Sequence, residues 1–346
     1  MKSFKPDTKD KRILYELLQN ARFTHCLIGK HVQLSREMVA YKIGKMQKAG
    51  VIKGFTSHLF RPSIGLMQSY ALYITLQCSK TKKQEMIKEL NSYDNILAIT
   101  EMEGWFNLYI YFCAYNRANT YETFQFIKET CSLSDNYELV TVVTNEFTRR
   151  YFFLGDIEIK KKKYNDILYN LLLKHRGKRG EHISELDDED LAILNILNKN
   201  GRTPIQNIGK RLKLAPFAIR RRIIKLIKKG VFYSFSPVID YCKLGYIEYF
   251  LLLRLNPTKN KPKLLTFLNK HSFIRRSYVG KWDYKYIIYT KSSEEIKGLI
   301  SDLLDKFPDT IGKYDLLWST NVHKSISYPE KIEDIYHLAK SSQSRG

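Results

Sequence analysis

The stretch Arg202–Gly230, RTPIQNIGKRLKLAPFAIRRRIIKLIKKG, decides the reading of this chain. It holds ten Lys or Arg, and no Asp or Glu occurs between Arg202 and Asp240. Ile205, Ile208, Leu212, Ile219, Ile223 and Leu226 recur at helical spacing, so the charge rides on packed helices and not on a loose tail. The pattern predicts a short helix over Ile205–Lys213, a brief break, and a longer helix from Pro216 to Lys229. Proline suits the first helical position, and Gly230 suits the left-handed cap that ends a helix. Upstream, Asp187 suits an N-cap, with Leu191, Ile193, Leu194 and Leu197 as the inner face of a first helix. Two helices joined by a short turn, the second one basic, make a helix-turn-helix. Val231–Phe235 follows as a short strand, the wing of a winged variant.

The whole chain shares this charge bias. Its 346 residues carry 58 Lys+Arg against 35 Asp+Glu, a formal net charge of +23. Such a field favours a polyanion, either nucleic acid or an anionic membrane surface. No apolar run approaches the ~20 residues needed to span a bilayer, and MKSFKPDTKDKR at the start has no apolar core of a signal peptide. The expectation is therefore no membrane and a cytoplasmic, nucleoid-associated protein. Five scattered cysteines without a C-x-x-C pair fit neither a disulfide framework nor a zinc site.

The opening stretch has a twin. Asp7–Phe55 and Asp187–Phe235 align at an offset of 180 without a gap. Asp10 matches Asp190, Ile13-Leu14 match Ile193-Leu194, and Asn20 matches Asn200. Arg22 matches Arg202, Ile28-Gly29-Lys30 match Ile208-Gly209-Lys210, Gly50-Val51 match Gly230-Val231, and Gly65 matches Gly245. So long a period marks a duplicated unit and not a solenoid. In the first copy Ser35 stands at the N-cap of the third helix, Val39, Ile43 and Met46 form its core side, and Val51–Phe55 is its wing strand.

Beyond each helix-turn-helix the order strand, helix, strand, strand, helix, strand repeats. The first copy gives Ser69–Cys78, Lys82–Tyr93, Ile96–Met102, Leu108–Ala114, Thr120–Thr130 and Tyr137–Phe147. The second gives Tyr246–Leu255, Lys261–His271, Phe273–Val279, Tyr284–Thr290, Ser293–Phe307 and Lys313–Thr320. That βαββαβ order is the ferredoxin-like split unit. The fold class expected is α+β, two tandem units, each a winged helix-turn-helix followed by a ferredoxin-like domain. The boundaries are 7–62 and 66–150 for the first unit, 151–184 for a basic linker, and 185–242 and 245–328 for the second. Arg149–His182 holds ten Lys or Arg against four acids, its centre Tyr164–Lys174 reads as a helix, and its lysine runs are candidate phosphate contacts.

The basic helices read as DNA readers. With Ile219, Ile223 and Leu226 inward, a turn of ~100° per residue points Phe217, Arg221, Lys225 and Lys228 outward. Arg221 suits a bidentate contact with a guanine edge, and flanking Arg220 and Arg222 suit phosphates, as do Lys210, Arg211 and Lys213. In the first copy the candidates are Ser35, Arg36, Tyr41, Lys42 and Lys45, on a helix whose outward stripe is Glu37, Tyr41, Lys45 and Lys48. Glu37 repels phosphate and can accept from a cytosine amine, so the two readers prefer different half-sites. A packing protein with little sequence preference would use the same charges.

A helix-turn-helix followed by βαββαβ resembles the Lrp/AsnC, or feast/famine, transcriptional regulators. The residues carrying the resemblance are Asp7, Asp10, Ile13, Leu14, Asn20, Arg22, Ser35, Val39, Gly50, Val51 and Gly65 with their second-copy partners. The family usually has one such unit per chain and pairs through its ferredoxin-like sheets, so this chain looks like a tandem member, either an intrachain pseudo-dimer or a homo-oligomer. The resemblance also implies a Gly-x-x-Asp turn where small effectors, often amino acids, bind. Gly280-Lys281-Trp282-Asp283 matches it, and Gly104-Trp105-Phe106-Asn107 has Asn where Asp is expected. An amide cannot pair with a ligand ammonium as a carboxylate does, and both glycines suit a tight hairpin turn as well.

For an enzyme the signals are thin. No H-x-x-x-H, H-E-x-x-H, G-x-S-x-G, Walker A or G-x-G-x-x-G occurs. Siroheme decarboxylases are similar in fold and carry His- and Arg-rich motifs around a tetrapyrrole. Here Phe273-Ile-Arg-Arg-Ser-Tyr-Val-Gly280 has arginines but no histidine, and His271 lies just before it. The expectation is a sequence-specific regulator on double-stranded DNA, not an enzyme, with no cofactor, no metal and no catalytic residue.

Overall fold

The two copies fold through the same order of elements. The computed structural model describes residues 4–142, 144–147, 151–155, 157, 164–175, 183–270, 274–279 and 282–343, with the side chains of 144–147, 269–270, 274–279 and 343 excepted. The first copy runs α1 (Thr8–Gln19), α2 (His25–Val32), α3 (Arg36–Lys48), β1 (Ile52–Leu59), β2 (Gln68–Ile74) and α4 (Lys80–Ser92). It continues with β3 (Ile96–Glu103), β4 (Leu108–Ala114), α5 (Arg117–Thr130), β5 (Tyr137–Thr141) and β6 (Thr144–Phe147). After α6 (Ile167–His175) the second copy gives α7 (Asp188–Lys199), α8 (Ile205–Leu212), α9 (Pro216–Lys228), β7 (Phe232–Ile239) and β8 (Ile247–Leu255). It ends with α10 (Lys261–Lys270), β9 (Ile274–Val279), β10 (Tyr284–Thr290), α11 (Ser293–Lys306), β11 (Ile311–Ser325) and α12 (Ile332–Gln343). The serial segments regroup into two compact units, and each unit takes a half from each copy. One is 68–152 with 241–326, and the other is 4–67, 153–240 and 327–343.

In the sheet unit the nine strands run β5-β2-β4-β3-β11-β8-β10-β9-β6. The fourth strand of each copy leaves its own sheet to join the other. β11 pairs with β8 over Ile311–Trp318 and then with β3 over Trp318–Ser325. In the same way β5 pairs with β2, and β6, just beyond it, pairs with β9. Two ferredoxin-like sheets therefore pair within one chain. Apolar strand residues pack under the helices in each half: Leu72, Ile110 and Phe112 with Leu90 and Ile127, and Leu251, Leu253 and Ile288 with Leu264 and Leu299. Tyr109 and Lys285 hold the same position of the repeat. They meet with the Lys285 ammonium 3.7 Å from the Tyr109 ring centre and 4.2 Å from that of Phe250, so an aromatic surface holds this buried cation.

The second unit holds both helix-turn-helix modules. Each opens on an aspartate N-cap that accepts from the amide three residues on, Asp10 to Asp7 at 2.7 Å and Asp190 to Asp187 at 2.8 Å. The second acid of each pair is buried and receives a cation from the third helix. Lys42 reaches Asp7 at 2.6 Å and Asp10 at 3.0 Å. Arg222, its repeat partner, reaches Asp187 at 2.7 Å and Asp190 at 2.8 Å, and also bonds Glu189. The Asp-x-x-Asp spacing thus fastens α1 to α3 and α7 to α9. Beneath lie Val39, Ile43 and Met46 in one module and Ile219, Ile223, Leu226 and Ile227 in the other, all buried. At ~1.5–3 kcal/mol per buried aliphatic side chain, these stripes outweigh the ion pairs in holding the helices.

The strand after each module does not fold back on its own copy. β1 pairs antiparallel with β7, from Ile52 opposite Ile239 to Leu59 opposite Phe232. Each strand also docks on the other copy's turn between first and second helices: the Ala21 amide donates to the Phe235 carbonyl at 3.0 Å, and the Gly201 amide to that of Phe55 at 2.9 Å. A Cβ at Gly201 would sit 2.7 Å from Thr56 backbone atoms, which is why that turn comes so close. Arg22 then donates to the carbonyls of Gly201 (2.7 Å) and Thr203 (3.1 Å), while Arg202 donates to those of Ala21 (2.6 Å) and Phe23 (3.2 Å). The two arginines cross like clasped hands.

Two further helices close this unit. α6 packs against α9 and β7 with Tyr169 and Leu172 buried. α12 packs against α7, and the Tyr336 hydroxyl accepts from the Leu186 amide at 3.0 Å and donates to the Ser184 carbonyl at 2.8 Å.

Two stability tests follow from these contacts. Burial raises the Asp7 and Asp187 carboxyls, but the hydrogen bonds from Lys42 and Arg222 outweigh it and hold both below the usual carboxylate range. Carboxyls lowered by folding stabilise the fold above their unfolded value, and that stability is lost as pH falls through the folded value. Lys42→Met leaves the buried Asp10 without its cation, at a cost of about 3 kcal/mol near neutral pH. In thermal unfolding, the gap between this variant and the parent should narrow as pH falls from 7 to 3; a constant gap would contradict the ion-pair account. Gly201→Ala should cost ~1–3 kcal/mol in denaturant unfolding, because Thr56 backbone must move.

Candidate nucleic-acid interface

The turn between second and third helices is the same in both modules. Gln33 and Lys213 end α2 and α8 in the left-handed region, φ 57° and 55°, and so turn the chain sharply into the next helix. Ser35 then caps α3 by accepting from the Met38 amide at 3.1 Å. α9 has Pro216 at its first turn and no side-chain cap. Gly50 and Gly230, with φ 73° and 77°, terminate the two helices.

Outward faces follow from the buried stripes. On α9, Phe217 is 74% exposed, and Arg220, Arg221, Lys225 and Lys228 are exposed beside it. Lys210, Arg211 and Lys213 are exposed on and just after α8. On α3, Tyr41 is 65% exposed, and Ser35, Arg36, Glu37, Lys45 and Lys48 are exposed with it. Lys45 also lies 5.6 Å over the Phe4 ring. The structure brings these candidates together as two helical faces.

Two expected phosphate contacts are engaged elsewhere. Arg222 is held by Asp187, Glu189 and Asp190, and its hydrogen bond to Asp187 raises the guanidinium above its ordinary value despite burial. Lys42 is held by Asp7 and Asp10, and its side chain is 13% exposed. Helical periodicity puts Arg222 on the flank and leaves Lys42 a DNA candidate, but it could not show that the first helix presents acids to both. Lys225 keeps a longer contact, 3.6 Å to Asp190, with its side chain half exposed. A cavity of ≈ 300 Å³ opens beside this network, bordered by Asp187, Glu189, Leu214, Ala218, Arg221 and Lys225.

The candidate effector turns carry structural bonds. The Asn107 side chain accepts from the Leu76 amide and donates to the Leu76 carbonyl, both at 2.8 Å. Asp283 accepts from the Leu255 amide at 2.8 Å. Leu76 lies just past β2 and Leu255 is the last residue of β8, so both side chains tie that strand's end to the hairpin. Gly104 has φ 132°, and a Cβ there would lie 2.6 Å from Leu317. Trp282 donates to Glu138 at 2.6 Å. Gly280, His271 and the lysine-rich runs 160–163 and 176–180 lie outside the described residues.

Sequence reasoning missed two parts of the scaffold behind these faces. Arg22 and Arg202 were matched in the repeat, but no role was assigned to either. Partial burial pushes both guanidiniums down to about 10, helped at Arg22 by the Arg202 charge. Identical charged residues in matching turns were the available signal. The second part is the cover on α9. α6 packs on α9, and Ile227 of α9 is buried, while Gln47 at the matching position of α3 is exposed. The additional apolar residue on one copy alone was the sign of an additional neighbour.

Comparison with known proteins agrees with this geometry. A model of the AsnC-type helix-turn-helix domain matches residues 186–227, and a model of winged helix-turn-helix DNA-binding domains matches 6–53. The transcriptional regulator LysM of Sulfurisphaera tokodaii is 32% identical over 139 residues, 40% of this chain and 94% of that protein. The regulator LrpA of Pyrococcus horikoshii is 29% identical over 127 residues, 35% of this chain and 87% of that protein. The crystal structure of the siroheme decarboxylase NirDL aligns with 98% of this chain and 100% of its own, with a TM-score of 0.62 and 15% identity. That likeness shows a shared duplicated fold and carries no chemistry. Among the described residues no helix is long and apolar enough to cross a membrane. The repeated helix-turn-helix, the ferredoxin-like half that follows each one and the match to nearly full-length LysM make this chain a member of the Lrp/AsnC family of helix-turn-helix transcriptional regulators, with two family units in one polypeptide.

Proposed function

We propose that the chain is a sequence-specific regulator that binds double-stranded DNA through α3 and α9. The observation that carries this reading is the face of α9. It presents Phe217, Arg220, Arg221 and Lys228 to solvent without an acid on the helix, over a buried stripe that anchors it. A rigid helix of that kind fits a major groove, where Arg221 can fork onto guanine O6 and N7. Arg220, Lys210, Arg211 and Lys213 would contact phosphates; Arg222 and Lys42 brace the modules instead. The two faces differ, Glu37 against Phe217 and Tyr41 against Arg221, so the site read has two unlike halves. An amino-acid effector at the second Gly-x-x-Asp turn would share Asp283 with the Leu255 amide, which bonds one of its two carboxylate oxygens.

The reading is tested by binding to duplex DNA. With about six phosphates neutralised, affinity should fall ~10³-fold between 50 and 200 mM salt; a flat response would contradict it. Arg221→Ala should cost ~1–3 kcal/mol on the preferred site and relax one base position, while Lys213→Ala should weaken all sequences alike. Uniform loss in both would favour a packing protein that reads charge alone. In footprinting, Arg221→Ala with Lys225→Ala should erase protection over one half of the site and spare the other.

A further inference from the structure

We propose that Arg22 and Arg202 are positioning residues for DNA recognition, and that their crossed contacts set the half-site spacing the chain accepts. The proposal rests on reading α3 and α9 as the DNA readers. Each reader is fastened to its own first helix by the Asp-x-x-Asp network, so it moves with the turn that follows that helix. Whatever fixes one turn against the other fixes the two readers.

Two lines of contact do this. The first is the ribbon β1–β7. Two strands alone twist readily, and this pair shifts register between Ile52 and Gly54 and again between His58 and Leu59. One such line would leave a hinge. The second line is the pair of turns, where each guanidinium donates to two carbonyls of the other copy and lies over a ring of that copy's strand. Arg22 is 5.4 Å from the Phe235 centroid and Arg202 is 5.1 Å from that of Phe55. A planar fork fixes direction as well as distance, which a point charge cannot do. The four carbonyls belong to residues just past the C-terminal ends of α1 and α7, where the helix dipole favours a cation. Burial of both cations side by side is costly, as their lowered pKa values show, and the crossed hydrogen bonds offset it. Together the two lines remove the hinge. DNA presents equivalent faces about every 10.5 base pairs, so a rigid pair of readers accepts one separation while a hinged pair accepts its neighbours too.

The test uses the full chain and duplexes in which the two halves of its footprinted site are moved apart or together one base pair at a time. The parent should bind one spacing best and lose about tenfold or more at roughly two base pairs off. R22Q/R202Q should keep the parent's affinity for a duplex with a single half-site, yet flatten the spacing profile to within about threefold. R22K/R202K, which keeps the charge but loses the fork, should flatten it as well. If the double variants fail to fold, judged by their circular dichroism, the single variant R22Q retains the Arg202 contacts and should broaden the profile. Retention of the parent's sharp optimum in the folded variants would overturn the proposal, as would a parent with no preferred spacing. A parent that binds no duplex would instead overturn the DNA reading itself.

Discussion

Two arginines that cross from one copy to the other hold together the unit that carries both helix-turn-helix modules. Each guanidinium donates to two carbonyls of the opposite turn. That arrangement works only if the turns approach closely, and Gly201 with no side chain lets them. It also needs ordered turns, and in each the asparagine that ends the first helix accepts from the arginine amide, Asn20 from Arg22 and Asn200 from Arg202, both at 3.0 Å. The duplication is thus built into the packing: neither copy completes its own surroundings. The same exchange recurs in the sheet unit, where β11 and the β5–β6 pair each run from their own half into the other.

Much of this was legible in the sequence. Periodicity of 3.6 and 2 located most elements to within a few residues, and Leu108–Ala114 and Tyr284–Thr290 coincide with β4 and β10. The core stripes Val39-Ile43-Met46 and Ile219-Ile223-Leu226 are buried as periodicity requires. Partner choice between elements was not legible, because it depends on long-range geometry. The strands after each helix-turn-helix read as wings, and their pairing with one another has no local signature. Arg222 read as a flank cation and Lys42 as a DNA contact, since the helix wheel of α3 or α9 contains no information about Asp10 or Asp190. The helix α12 lies beyond the second ferredoxin-like half, where the repeat gives no counterpart to suggest it.

The copies have diverged at positions that meet or correspond, and physical chemistry accounts for several of the differences. Tyr109 faces Lys285, so a ring meets a cation where two equal copies would bring two rings or two cations together. Asn107 binds both the amide and the carbonyl of Leu76, while Asp283 accepts from one amide. α9 buries Ile227, and α3 keeps Gln47 in solvent. Arg222 gathers three carboxylates where Lys42 gathers two, which matches the larger fork of guanidinium. Each copy has thereby become one specialised half of a pair.

The central claim is that one polypeptide supplies both readers of a two-part DNA site. The most direct measurement is the mass of the complex formed on a duplex carrying a single footprinted site, by native mass spectrometry at low protein excess. The account predicts one chain per duplex with both halves of the site protected. Two chains per duplex, each protecting one half, would contradict it.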